Sequence, residues 1–250
     1  MFRKITGLFL ALLLLACASA LTEESPWSYD SSNMILRRQA KLSGDVSIPS
    51  EVDGYPVHAI GGGALSGQHA VTSLTMPDSL RALQNDAVTG MDSLTGVTLN
   101  DGLEYIGANF RDCGALTQLT IPASVRIVDS MIGSCENLTE IRFEGECPLF
   151  LGAQWCFFMM PQEYTIYVPD DQLDAYAAAL QDANGAAEHL KPSGRNAVLP
   201  EKENNESWFD FDAATGTITG YREYHACVEI PASIGGVAVT TLGEQAFAGD

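Results

Sequence analysis

The chain has 250 residues, 46% of them hydrophobic, and 32 acidic against 13 basic side chains give a formal charge of −19 at pH 7. That length and apolar content suit one or two globular domains rather than a disordered tail, and the acidic excess excludes nucleic acid as a sensible partner. Its ordinary meaning is a solvated acidic exterior, with attraction for basic surfaces or calcium as the functional alternative.

In chain order, the first twenty residues stand apart. Arg3 and Lys4 make a basic start, Leu8 to Leu15 is almost wholly apolar, and Ala18-Ser19-Ala20 offers small residues for cleavage, so residues 1–20 read as a secretory signal peptide. The apolar run from Ile5 to Ala16 is shorter than the ~20 residues needed to cross a bilayer. Leu14-Leu15-Ala16-Cys17 also reads as a bacterial lipobox, which would make Cys17 a lipidated N-terminus. Both schemes place the mature chain outside the cytoplasm, secreted or attached to the cell surface, with a charge of −21 once Arg3 and Lys4 are gone.

The next signal is periodic. Leu74, Val97, Leu119 and Ile141 stand in matching contexts at intervals of 23, 22 and 22 residues, within VTSLTMP, LTGVTLN, LTQLTIP and LTEIRFE. Half a period away, Ile60, Leu83, Ile106 and Val128 form a second apolar series at 23, 23 and 22. A return segment adds Ala64 and Leu65, Ala87 and Val88, then Phe110, then Ile132. One such unit cannot bury these side chains alone, but stacked units can, because equivalent residues then lie over one another in a shared interior. The Leu119/Ile121 alternation predicts a short strand that Pro122 ends, as Pro77 does two units earlier, since proline cannot donate to a ladder. Successive strands would pair in parallel at about 4.8 Å.

On these residues the chain resembles the BspA-type, treponemal-type leucine-rich repeat family. The text carrying the resemblance is Leu119-Thr120-Ile121-Pro122, the Ile-Gly steps at 60–61 and 106–107 with Leu242-Gly243, and Ala246-Phe247-Ala248-Gly249. It covers roughly 27–190 and then 208–250. The resemblance implies an α/β-type solenoid with short parallel strands and, at the end of a block, a capping strand and helix. Asn100 and Glu144 depart from it by replacing proline, and the side-chain ladders of other leucine-rich repeats do not carry over.

Further along, Tyr164 to Pro169 reads as a last strand, and Ala175 to Leu180 as a helix after an aspartate cap, closing the block at 190. Residues 191–207, with Pro192, Gly194 and Pro200, read as a linker. From 208 the opening text returns: Ile230, Val239, Leu242 and Ala246 match Ile48, Val57, Ile60 and Ala64 at an offset of 182, and Trp208 matches Trp27 at 181. This is the expected start of a second block, and the pattern predicts another strand where the sequence stops, which reads as truncation.

Chemistry-bearing residues are sparse. Cys113 and Cys135 are one repeat apart and read as stacked buried side chains rather than a disulfide or metal pair. Cys147 and Cys156 bracket a loop, and spacing leaves their pairing open. His58, His69, His189 and His225 lack metal-ligand spacing, and Gly61-Gly62-Gly63 lacks the lysine of a phosphate loop. With no catalytic constellation, no metal site and no cofactor motif, the expectation is a non-enzymatic chain. The strand face turned from the core carries Thr72, Thr95, Thr117 and Thr139, with Thr75, Thr98, Thr120 and Arg142 three residues later. These two columns are the candidate partner-binding face, and the bland alternative is that threonine simply suits a solvated strand. The reading is an exported, adhesin-like interaction module for an extracellular protein or glycan. The alternatives are a spacer within a larger envelope enzyme and a degenerate fragment without a role.

Overall fold

The computed structural model describes residues 25–32, 34–200 and 205–247. The expected signal peptide, Cys17, part of the linker (201–204) and residues 248–250 lie outside them. The apolar series resolve into two stacked ladders and a third wall between them.

The half-period series builds the longer ladder. Ala59–Ile60, Ala82–Leu83, Tyr105–Ile106, Ile127–Asp129 and Leu149–Leu151 pair in parallel in a seven-stranded sheet. The register places Ile60 beside Leu83, Leu83 beside Ile106 and Ile106 beside Val128. These four side chains are fully buried, and each such burial stabilises by about 1.5–3 kcal/mol. A hairpin of Trp27–Asp30 and Ile35–Arg38 begins the sheet, with Leu36 over Ile60. Its turn is held by the Asp30 carboxylate, which accepts from the Ser32 amide at 3.1 Å.

The first apolar series lies on the opposite wall, in two shorter sheets. Gly44–Ser47, Val71–Thr75 and Gly96–Thr98 form one; Gln118–Ile121, Glu140–Phe143, Thr165–Val168 and Leu190–Pro192 form the other. Leu74 pairs with Val97 and Leu119 with Ile141, but the ladder is interrupted between the coils of Val97 and Leu119. Val71–Thr75 stops short of Pro77, and Gln118–Ile121 stops at Pro122. Where Asn100 replaces proline, its amide instead donates to Leu80 O at 2.9 Å and Asp78 O at 3.3 Å, tying its turn to the preceding coil.

The return segments make the third wall without forming helices. Bridges join Thr89, Arg111, Gly133 and Phe158 in succession. Phe110 and Ile132, one repeat apart, both take left-handed backbone with φ of 55° and 64° while their side chains are fully buried. Bulky residues rarely adopt this conformation, and here inter-coil bonds such as Phe110 N to Val88 O and Ile132 N to Asn109 O hold it. Asn109 is itself buried, accepting from Val88 N and donating to Gln84 O.

The only α-helix among the described residues, α1 (Leu173–Ala179), belongs to the cap. Its buried Tyr176 ring meets Phe143 at 5.1 Å, and its hydroxyl donates to Gly145 O and Glu146 O. Tyr176→Phe is therefore expected to cost about 1 kcal/mol in urea unfolding, because the buried Gly145 carbonyl loses its hydroxyl donor. The expected aspartate cap is corrected: no side chain caps α1, and Asp170 and Asp171 accept from Gly194 N and Ala197 N instead. The block boundary at 190 is corrected as well. Leu190–Pro192 pairs with Thr165–Val168, and Pro192 is tolerated because it lies on an edge strand. The cap covers the end of the four-stranded sheet and reaches the last strand of the seven-stranded one through Phe150, whose ring meets Tyr176 at 6.3 Å. At the end of the seven-stranded sheet, Leu149 and Leu151 stay exposed, as do Trp155, Phe158 and Met159 in the segment that follows.

From 205 the opening topology recurs. Phe209–Asp212 and Thr217–Tyr221 form a hairpin, and Ile218 pairs with Leu242 as Leu36 pairs with Ile60. Asp212 accepts from Ala214 N, as Asp30 does from Ser32 N, so the offset of 182 holds through the hairpin. Phe209, which is buried, thus stands in the place of Trp27, and the match of Trp208 to Trp27 is corrected. The pairing in this hairpin shifts by one residue between Asp210 and Phe211, a bulge that the first hairpin lacks. Trp208 stacks on His225 at 4.2 Å, and Glu104 of the first block meets His225 Nδ1 and accepts from Cys227 N at 2.8 Å. The second unit is therefore packed against the first.

Candidate interaction face

Because side chains alternate across a strand, burial of Leu74, Leu119 and Ile141 turns their neighbours outward. Thr75 lies beside Thr98 in the ladder, and Thr120 beside Arg142. Ser73, Gln118 and Glu140 form the companion outward row, which the reading in threonine columns missed; counting one residue back from each inward leucine or isoleucine finds them.

The two threonine columns differ in what their hydroxyls do. Thr72, Thr95, Thr117 and Thr139 are all exposed, but Thr95 Oγ1 donates to Thr72 O at 3.0 Å and Thr139 Oγ1 to Thr117 O at 3.5 Å. Thr72 Oγ1 donates to Asp45 at 3.0 Å. This column stitches coils together. Thr75, Thr98 and Thr120 are exposed and stand in the strands themselves, whereas Arg142 is half-buried. The Arg142 guanidinium donates to Glu140 at 3.0 Å and lies 4.5 Å from the centre of the Tyr167 ring.

At the interruption between the two sheets, the face dips into a groove of about 380 Å3. Ser73, Thr75 and Thr98 line one side, and Gln118, Thr120, Glu140 and Arg142 the other. Gly96 leaves room in the floor, since a side-chain carbon there would meet nothing within 4 Å. Hydrogen bonds from Ser73 and then Thr72 hold the neighbouring Asp45 carboxyl below its usual range. The groove thus offers hydroxyls, an amide and one ion pair. That set suits hydrogen bonding to an extended chain more than chemistry: Ser73 donates to Asp45, and no histidine lines the groove.

The remaining candidates have structural surroundings. Cys113 and Cys135 are fully buried; their mutual hydrogen bond, with burial, holds the Cys113 thiol well above its ordinary range. Burial pushes Cys147 and Cys156 up to about 11. All five described cysteines are free thiols, so Cys147 and Cys156 are unpaired. Among the described residues, no group of three or more His, Cys, Asp or Glu is placed to hold a metal ion, and no helix is long and apolar enough to cross a membrane.

Residues 55–171 match the family model described as BspA type leucine rich repeat region, in six copies. This is narrower than the 27–190 and 208–250 suggested by the sequence. No curated protein matches the chain. Among solved structures, it is similar to a leucine-rich repeat protein from Bacteroides capillosus, at 28% identity over 48% of this chain and 95% of that one, with a TM-score of 0.39. The leucine-rich repeat protein of T. pallidum aligns at 17% identity over 68% of this chain and 96% of that one, TM-score 0.35. A leucine rich cell surface protein from Faecalibacterium prausnitzii aligns at 17% over 83% of this chain and 63% of that one, TM-score 0.36.

Proposed function

Because residues 55–171 are a BspA-type leucine-rich repeat region, we propose that the chain is an exported, adhesin-like interaction module that presents its strand-face groove to an extracellular protein or glycan. The observation that carries this reading is the row Thr75, Thr98 and Thr120. These residues are exposed, regularly spaced and directed into a groove of about 380 Å3 beside Gln118, Glu140 and Arg142. Solenoids present such regular strand faces to extended partners.

Export is supported by the basic, apolar and small-residue succession of 1–20, with Cys17 as the alternative lipidation point. A test is fractionation of bacterial cells producing the full chain, with the wild type and a Cys17→Ala variant compared. Protein in the envelope or medium is the expected result, and retention of the full-length chain in the cytoplasm would refute it. Release of Cys17→Ala into the medium from a membrane-bound wild type would select the lipoprotein scheme.

A further inference from the structure

A second concavity lies between the opening hairpins of the first block and the second unit, away from the strand face. This cleft, of about 830 Å3, is lined by Tyr29, Tyr55, His58, Tyr221, Tyr224 and Phe247, and its size falls within the usual ~300–1,000 Å3 of ligand sites. Its rings are organised in plates. Tyr29 and Tyr55 stack with centroids 5.0 Å apart and planes 4° from parallel, and His58 and Tyr224 stack at 4.7 Å and 19°. Tyr55 is 49% exposed despite its stacked neighbour, so part of its surface remains open to solvent. Burial, followed by the Tyr224 and Tyr55 phenols, raises the Tyr29 pKa, and burial raises that of Tyr224, so both stay protonated donors.

We propose that this cleft binds a neutral oligosaccharide, with sugar rings lying on the stacked aromatic plates. A pyranose has a face of C–H bonds that meets the negative face of an aromatic ring, and a rim of hydroxyls that need partners once desolvated. Tyr and Ser hydroxyls, including Ser31 and Ser32, supply that rim here. The two formal charges at the cleft, Arg222 and Glu223, cancel, and Arg222 is already engaged by Asp210. A proline-rich peptide needs slots between rings, and rings stacked at 5.0 and 4.7 Å leave none within either pair. The chain's charge of −19 disfavours polyanions.

The test is calorimetric titration of the full chain with cellohexaose, chitohexaose and mannohexaose, and with decaproline as the competing probe. At least one hexasaccharide is expected to bind, with affinity falling about tenfold in Tyr55→Ala and in Tyr224→Ala. Circular dichroism of Tyr55→Ala should match the wild type, since Tyr55 is exposed, and Trp155→Ala, an exposed aromatic outside the cleft, should bind as wild type. Absence of heat with all three sugars would overturn the proposal. So would sugar binding lost in Trp155→Ala but kept in Tyr55→Ala, or decaproline binding that Tyr55→Ala abolishes. The strand-face groove is untouched by these substitutions, so either result leaves that reading standing.

Discussion

Ile60→Ala is expected to lower the unfolding free energy by about 2–5 kcal/mol, and Leu242→Ala by less than about 1 kcal/mol, although the two residues occupy matching places 182 positions apart. Each pairs with a hairpin residue on one side, Leu36 for Ile60 and Ile218 for Leu242. Ile60 is also covered by Leu83 of the next coil and is fully buried, whereas Leu242 has no such neighbour among the described residues and is 51% exposed. Removing the Ile60 side chain opens a cavity in an interior that its neighbours share. Removing Leu242 mostly trims surface. Urea titration at constant m-value measures the difference. Since a domain is typically stable by only about 5–15 kcal/mol, the Ile60 change would consume a large share of the margin. Equal losses at both positions would mean that stacking is not the source of burial.

The second large effect concerns the groove. Replacing Thr98 and Thr120 together by Glu is expected to weaken partner binding by about thirtyfold or more, the effect of losing a central contact of ~2 kcal/mol. Both threonines are exposed, so the fold should persist with an unchanged melting temperature. The new carboxylates would stand beside Glu140 and compete for Arg142, adding like charge to a groove that now holds one carboxylate and one guanidinium. Thr95→Glu and Thr139→Glu serve as the contrast. Those hydroxyls donate to carbonyls of the preceding coil, so their loss should register in stability more than in affinity. Binding by immobilised full-length chain separates the two outcomes.

The stacking was legible because burial imposes a period on the sequence. Leu74, Val97, Leu119 and Ile141 mark one wall, Ile60, Leu83, Ile106 and Val128 the other, and Pro77 and Pro122 the strand ends. What the period hides is where a ladder breaks. The apolar positions Val97 and Leu119 keep the spacing of their neighbours, yet the sheets part there and the groove forms. The left-handed turns at Phe110 and Ile132 were also hidden, because inter-coil bonds impose them on residues that do not favour them locally.

Other differences have equally local causes. The Lys191-Pro192 pair reads as a break, but an edge strand does not need the proline's missing donor. Tryptophan resemblance drew Trp208 onto Trp27, whereas hairpin register, which tolerates a bulge, assigns Phe209. Asp170 and Asp171 suit a helix cap in sequence, but the nearby amides of Gly194 and Ala197 take their carboxylates. At the candidate site, threonine repetition drew attention to both columns. Only the hydrogen bonds show that one of them ties the coils together.

The central claim, that the strand face is the binding surface, is tested most directly by placing a photo-cross-linking side chain at Thr98, Gln118 or Arg111 of the full chain. Each variant is irradiated with an extract of extracellular matrix and mucus glycoproteins. Thr98 and Gln118 border the groove, and Arg111 is exposed on the return wall. Adducts of one defined mass from Thr98 and Gln118, with none from Arg111, are the predicted result. Equal capture from all three positions, or capture from Arg111 alone, would contradict it.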